Sequence, residues 1–566
     1  MNGTSFHIME EPALTRRRLR LVCVGAGYSG LTLAHKVQHE NKLEDVIDLQ
    51  IYEKNDEVGG TWYENTYPGA ACDIPAHAYT FPFEGNPDWS HFYATGPEIQ
   101  AYIKATSVKY NLEKHVHFNS KVLETVWDDQ VGKWKIKVDI NGSIYEDEAD
   151  ILINGSGFLK LVYDSQSNSG IHADSSSNWK WPEIAGFHDF KGKVVHSAKW
   201  DKSYDWEGKK VAVIGNGSSG IQIVPTMQPK VEKLTTYIRN PTWISINFCA
   251  DKAIDGKNFA YTEEERTLFR EDPKVLHKLR KELEASVNGF FFGMVTGHPF
   301  QQGLEEACKA RMTATLIDYP EMAARLIPGF HPGCRRLTPG DGYLETFTQP
   351  NASVCWSPIE CITEKGIKTA DGEEEFDMIV CATGFDTTFI PPWKLVGLNG
   401  ATLEERWKVD PDAFFAVQVD TMPNYYIFNG PNCPISHGSV LTQISWTCDY
   451  ILRWATKIAT QDIKSITPKA QSVADFNEYS QKFLKRTVWA DNCPSWYKNG
   501  KSTGTVTGTY AGSILHFKDA LESLDAEHFD IVHKSKNTFQ WLGNGQSTRD
   551  ENGFGQLAWY MDEMRV

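Results

Sequence analysis

Two glycine loops constrain this chain more than any other feature in it. The first lies in LRLVCVGAGYSGLTLAHKV. There the apolar run Leu19 to Val24 leads into Gly25, Gly27 and Gly30, and residues with helical spacing follow. The second lies in KKVAVIGNGSSGIQIVPTM, where Lys209 to Ile214 leads into Gly215, Gly217 and Gly220 and then into a helix from Ile221. A strand, a GxGxxG turn and a helix in that order cradle a dinucleotide pyrophosphate at the helix N-terminus. A chain of 566 residues exceeds one ordinary core. The expected fold is therefore α/β, with two Rossmann-like dinucleotide-binding domains.

The strand after each loop separates the two cofactors. VIDLQIYEKN ends in Glu53, 23 residues after Gly30. An acid there binds a ribose 2′-hydroxyl and repels a 2′-phosphate, which suits FAD. KLTTYIRNPTW carries no acid at its end but Arg239, 19 residues after Gly220. A guanidinium there suits the 2′-phosphate of NADPH through charge-assisted hydrogen bonds. Ser218 and Ser219 lie on this second phosphate loop. Two strand-to-glycine turns, DILINGSGF (Asp150 to Phe158) and EFDMIVCATGFD (Glu375 to Asp386), mark crossings between the domains.

These landmarks divide the chain into five parts: the first part of an FAD domain over 1–160, the first part of an NADP domain over 190–249, a helical insertion in that domain over 250–332, its second part over 333–380, and the rest of the FAD domain over 381–566. The insertion opens with a Thr262/Glu265 capping box, and Glu305 to Leu326 reads as one further helical pattern. LVYDSQSNSGIHADSSSNW, rich in Ser, Asn and Asp, reads as a mobile surface loop. In LTQISWTCDYILRWATKI the apolar positions Leu441, Ile444, Ile451, Leu452, Ala455 and Ile458 form a helix face turned to the FAD domain.

Charge and cysteines exclude other classes. With 57 Lys plus Arg against 73 Asp plus Glu, the net charge of −16 disfavours nucleic acid or an anionic membrane as a partner. The eleven cysteines form no CxxC pair, which disfavours a disulfide framework, a zinc ribbon and a thioredoxin-type motif. They read as buried thiols of a reducing compartment, and no metal is expected. No run has the length of a membrane span, so the expectation is a cytoplasmic monomer or weak homo-oligomer.

Two longer motifs remain. FKGKVVHSAKWD sets Phe190, Gly192, His196, Trp200 and Asp201 in the frame FxGxxxHxxxWD, and GGTWYENTYPGAACD runs from Gly59 through Trp62, Tyr67, Pro68 and Gly69 to Asp73. With both glycine loops and the Ala382-Thr383-Gly384 turn in order, the chain resembles the Baeyer–Villiger monooxygenases from about Leu19 to Phe517. The resemblance implies that NADPH reduces FAD, oxygen adds to the flavin as a peroxide, and a ketone becomes an ester or lactone. It makes Arg336 the active-site cation, Asp73 its hydrogen-bonding partner and Arg335 a basic residue serving NADPH. It puts Thr61, Trp62 and Tyr79 near the flavin, and gives Val122 a backbone contact to adenine. Trp496 takes the nicotinamide-side ribose from a mobile loop, and His196 organises the linker. Ala71 and Asn240 depart from residues common in the family. Two alternatives stay open: a flavin monooxygenase oxidising nitrogen or sulfur, and a non-oxygenating FAD/NADPH reductase. The natural ketone is not legible.

Overall fold

A computed structural model describes residues 7–158, 181–254, 256–550 and 557–563. The Ser/Asn/Asp-rich segment of 161–179 lies outside them. The first glycine loop rises from a five-stranded parallel sheet in the order Tyr425–Ile427, Ile151–Asn154, Leu19–Val24, Ile47–Tyr52, Val116–His117. Successive side chains of a strand point to opposite faces, so Leu19–Val24 feeds two cores at once. Leu19, Leu21 and Cys23 join one core, with the helices Tyr28–His35 and Val440–Thr460. Val22 and Val24 join the other, with Trp127 and Trp134 of a mostly antiparallel second sheet. Burial on both faces is why this strand is apolar without alternation. All six expected apolar positions of the Val440–Thr460 helix are buried in the first of these cores.

The second loop repeats the plan. Its parallel sheet runs Ala352–Cys355, Lys233–Tyr237, Lys210–Ile214, Met378–Cys381, Lys193–His196. Val211 and Val213 face one core; Ala212 and Ile214 face another. The FxGxxxHxxxWD stretch is therefore more than a connector, because its Lys193–His196 segment is the edge strand of this sheet.

The insertion is helical, and the expected capping box forms. Thr262 Oγ1 accepts from the Glu265 amide at 3.2 Å, and Glu265 Oε2 accepts from the Thr262 amide at 2.8 Å. The helical pattern over Glu305–Leu326 resolves into two helices. One helix, Pro299–Thr315, ends, and another, Pro320–Leu326, begins. Pro320 has no N–H to donate and its ring clashes with a carbonyl one turn back, so the helix restarts there. The insertion also divides in space. Phe269, Leu276, Leu283 and Val287, from Glu263–Glu271 and Pro273–Gly289, pack into the FAD-side core. Leu304, Cys308, Met312 and Leu326 pack into the NADP-side core. An insertion in the sequence of one domain thus clamps both.

His77, His196 and His437 are among the imidazoles sealed inside this structure, at 1%, 1% and 4% exposed. Burial, the first cause for each, lowers their pKa from 6.5 to about 4. Each ring is neutral when folded and takes up a proton near pH 6.5 once unfolded. Their stabilisation is complete above about pH 6.5 and is lost as pH falls towards 4, at about 1.4 kcal/mol per pH unit per ring. Urea titrations are expected to show a clearly lower midpoint at pH 5 than at pH 7. His77→Gln, His196→Gln and His437→Gln should each flatten that dependence; slopes unchanged from wild type in all three would remove these three imidazoles as its cause.

Candidate active site

Each glycine loop leans on a strand-to-glycine turn. Gly25 has φ +109°, and a Cβ there would lie 2.6 Å from the Gly155 carbonyl oxygen. Gly215 has φ +108°, and its Cβ would lie 2.4 Å from the Ala382 oxygen. Only glycine accepts both the conformation and the contact, so each loop and its turn form one unit. Gly27 and Gly217 cap the helices Tyr28–His35 and Ser218–Met227 with no side-chain hydrogen bond. The first amides of both helices are left for an anion. Around Gly217 a Cβ would meet nothing within 4 Å. Both cradles fit a dinucleotide phosphate; Gly30 and Gly220 close against Gly25 and Gly215 behind them.

The strand ends differ in charge as the sequence implies. Glu53 is buried, and its carboxylate accepts from the Ala26 amide at 2.8 Å and the Asn55 amide at 2.9 Å. Burial raises its pKa, and these amides oppose the rise. They fix the carboxylate against the loop while leaving acceptor sites free. At the other cradle Arg335 donates to the Pro241 carbonyl at 3.2 Å. Its pKa is lowered, first by burial and then by the charge of Arg239. Among the described residues neither arginine has a carboxylate within ion-pair distance. Two cations so placed suit a phosphate.

Asp73 and Arg336 meet where the two domains touch. Arg336 Nη2 donates to both Asp73 oxygens, at 3.0 and 2.7 Å. The guanidinium pKa is raised above its ordinary value, first by Asp73. The seam that brings them together is built by the Gly59–Asp73 motif. Tyr67 donates its hydroxyl to Gln222 Oε1 at 2.8 Å, and Gln222 Nε2 donates to the Ala71 carbonyl at 2.9 Å. Gly69, at φ +81°, lies so close that a Cβ would sit 2.2 Å from Thr226 Oγ1. Ser218 is hydrogen-bonded at 2.7 Å to Thr338, two residues past Arg336, and Ser219 sits beside the Tyr67 hydroxyl. Phosphate loop, seam and arginine turn are thereby one connected unit.

The remaining expected residues divide between this unit and more distant supports. Trp62 Nε1 donates to the Tyr79 hydroxyl at 3.3 Å, with the rings edge to face, and Thr61 opens the same short helix. Val122 is buried near the start of the Ser120–Asp128 strand. Trp496 begins a short helical turn, Trp496–Lys498, and stacks on Phe158 at 5.7 Å. Phe190 is buried against the NADP sheet, and a Cβ on Gly192 would lie 2.6 Å from the Asp377 oxygen. His196 Nδ1 accepts from the Ala198 amide at 3.2 Å, and its Nε2 lies 3.4 Å from Thr383 Oγ1. The neutral ring thus ties one interdomain crossing to the Ala382–Gly384 turn of the other. Trp200 packs on the NADP core, and Asp201 accepts from Ser203 and pairs with Lys193.

Two features went unseen in the sequence. Cys334 and Cys493 form a disulfide, 159 residues apart. This corrects the reading of the cysteines as separate thiols. The bond joins the turn bearing Arg335 and Arg336 to the loop bearing Trp496, a proximity that only tertiary packing creates. The buried Lys498 ammonium lies against both sulfurs, at 3.5 and 3.8 Å. Beside Arg336 there is also a small cavity walled by Phe248, Phe290, Met294, Leu337, Trp489 and Tyr497. Those residues come from well-separated segments, and no local motif announces them.

Residues 23–95 match the NAD(P)-binding Rossmann-like domain family. The FAD-binding monooxygenase tazF of Aspergillus terreus is 48% identical over 97% of this chain and 96% of that protein. A Baeyer-Villiger monooxygenase of Streptomyces coelicolor is 31% identical over 93% of this chain and 95% of that protein. Among solved structures, the closed crystal structure of cyclohexanone monooxygenase shares the fold with a TM-score of 0.76 at 23% identity, covering 92% of this chain and all of that one. Identity at this level along nearly the full length of both chains makes the protein a member of the FAD-binding monooxygenases of Baeyer–Villiger type, an oxidoreductase using FAD and NADP(H).

Proposed function

We propose that Arg336 is the catalytic cation with which this chain turns a ketone into an ester or lactone, consuming NADPH and O2. The observation that carries the reading is the Arg336–Asp73 pair at the seam between two dinucleotide cradles. The first cradle would hold FAD and the second NADPH, and together they would supply the activated oxygen. As oxygen adds to the ketone, the carbonyl oxygen takes on negative charge. A fixed cation in a water-poor site stabilises that charge, and Asp73 positions it without supplying charge of its own sign to the oxygen. Oxidation of an amine or a sulfide develops no such oxyanion and gives the pair nothing to hold.

The other residues bind and orient. Glu53 takes the ribose hydroxyl of FAD, Val122 offers its backbone to adenine, and Thr61, Trp62 and Tyr79 flank the flavin ring. Arg239 and Arg335 hold the 2′-phosphate of NADPH, Ser218 and Ser219 shape its pyrophosphate loop, and Trp496 meets the nicotinamide-side ribose. His196, with Phe190, Gly192, Trp200 and Asp201, keeps the two cofactors in register. Among the described residues no helix is long and apolar enough to cross a membrane.

The purified protein is expected to be yellow, with one FAD per chain. Incubated with NADPH over linear, cyclic and aryl ketones, it should give products one oxygen atom heavier, with NADPH consumed in step. NADPH oxidation with no gain of product mass on any ketone would overturn the reading in favour of a reductase.

A further inference from the structure

The Cys334–Cys493 bond lies between two proposed contacts to one nucleotide. Arg335, proposed above to hold the 2′-phosphate of NADPH, follows Cys334 directly, and Arg336 comes next. Trp496, proposed to meet the nicotinamide-side ribose, stands three residues after Cys493. The cysteines are 159 residues apart, so their bond clamps two distant segments together. The loop on one side of the clamp is held mostly by itself. The Cys493 amide donates to the Ser502 carbonyl at 3.1 Å, and the Gly500 amide to the Ser495 carbonyl at 2.9 Å. Residues 501–504 are exposed in an unbroken row. The buried Lys498 ammonium donates to the Trp489 and Asp491 carbonyls, bonds that stay within the loop's own segment. A polar link does cross to the arginine turn. The His331 amide donates to Asp491 Oδ2 at 3.1 Å, and the His331 ring pairs with the same carboxylate. That imidazole is 40% exposed, so salt screens the pair and its charge depends on pH. The S–S bond joins the same two segments in a way that neither salt nor a moderate change of pH loosens.

We infer that Cys334 and Cys493 are positioning residues for the oxygenation, their bond keeping Arg335 and Trp496 on one nucleotide while oxygen is transferred beside Arg336. This rests on the ketone oxygenation proposed above and goes beyond it. A site that opens before transfer admits water and loses its oxygen as hydrogen peroxide. NADPH, a proton and O2 then become NADP⁺ and H2O2, and the ketone is untouched. Without the bond, NADPH should still be oxidised, but less of it should end in product.

The test compares Cys334→Ser, Cys493→Ser and the double variant with the wild type, well below their melting temperatures and with FAD content reporting folding. Each variant should release about tenfold more hydrogen peroxide per NADPH, with a matching loss of oxygenated product, because small misplacements at a reacting centre are costly. The double variant should match the single ones, since either substitution removes the same bond. A lowered melting temperature with wild-type product per NADPH in all three overturns the inference and leaves the bond a stabiliser only; losses that add in the double variant also overturn it. Should a variant lose its FAD, dithiothreitol on the wild type replaces it. The bond becomes two thiols, counted by alkylation, as the reagent closes to its cyclic disulfide. The yield should fall, and hydrogen peroxide, itself reduced to water, should restore the bond and the yield together. An unchanged yield with both thiols counted overturns the inference. NADP⁺ release measured without ketone separates the two readings: if the wild type oxygenates no ketone while the variants release NADP⁺ faster, the oxygenation reading falls and the clamp on the nucleotide stands.

Discussion

Arg336→Ala is expected to keep its FAD and to lose ester or lactone formation by a factor of at least about 10²–10³, the usual cost of removing one preorganised oxyanion donor. The cradle for FAD stands on Gly25, Gly27 and the Tyr28–His35 helix, none of which leans on Arg336, so the protein should stay yellow. The reacting carbonyl oxygen becomes anionic during oxygen addition. Only a group protonated at every working pH holds that charge throughout, and guanidinium is that group. Asp73 reinforces it, raising the Arg336 pKa and holding Nη2 at 2.7 Å from one carboxylate oxygen. Arg336→Lys supplies a point charge without the planar fork and is expected to recover only a small part of the activity. Asp73→Ala leaves the cation but frees its position, so a milder loss is expected, with more NADPH consumed per product. The measurement is oxygenated product per NADPH in a single turnover on a ketone the wild type accepts. Near wild-type yield from Arg336→Ala would move the catalytic cation elsewhere.

Arg239→Ala should lower the preference for NADPH over NADH about ten- to hundredfold, the effect of losing a charged hydrogen bond worth roughly 1.5–3 kcal/mol. Arg335 lies close enough for Arg239 to depress its pKa, and no carboxylate neutralises either among the described residues. The pair is held at some electrostatic cost, so on the proposed reading either substitution should relieve repulsion in the free protein while weakening the nucleotide complex. Affinity for NAD⁺ should change far less than affinity for NADP⁺, since only the latter carries the 2′-phosphate. Raised ionic strength should narrow the difference between the two in the wild type. Titration of both nucleotides against Arg239→Ala and Arg335→Ala checks this. Full retention of the preference in both variants would place phosphate recognition at other residues.

The two cradles were legible because each is a local demand written in neighbouring residues. A glycine at φ near +109° or +108°, an apolar strand before it and a helix after it need no distant partner to be recognised. The same holds for the Thr262/Glu265 capping box, closed within four residues, and for the charges of Glu53 and Arg239, which follow from counting along one strand–turn–helix unit. Pro320 is equally local, and it opens the second of the two helices within the 305–326 helical pattern.

Tertiary structure decided what depends on which faces pack together. Arg336 and Asp73 lie 263 residues apart, and they touch because Gly69 lets the first domain close on the Ser218–Met227 helix of the second. Cys334 and Cys493 show no spacing that marks them as a pair; two loops folded against the same cavity put them together. The insertion is one stretch of sequence but two halves in space, because Leu283 and Leu304 find different cores. Trp489 is one of 18 tryptophans and nothing nearby in sequence distinguishes it. Its complete burial comes from distant packing: the ring stacks on His437 and joins the NADP-side core. The sequence determined the cofactor cradles, through backbone geometry that a few adjacent residues impose; the tertiary fold determined the chamber between them, through contacts among faces that no short stretch of chain contains.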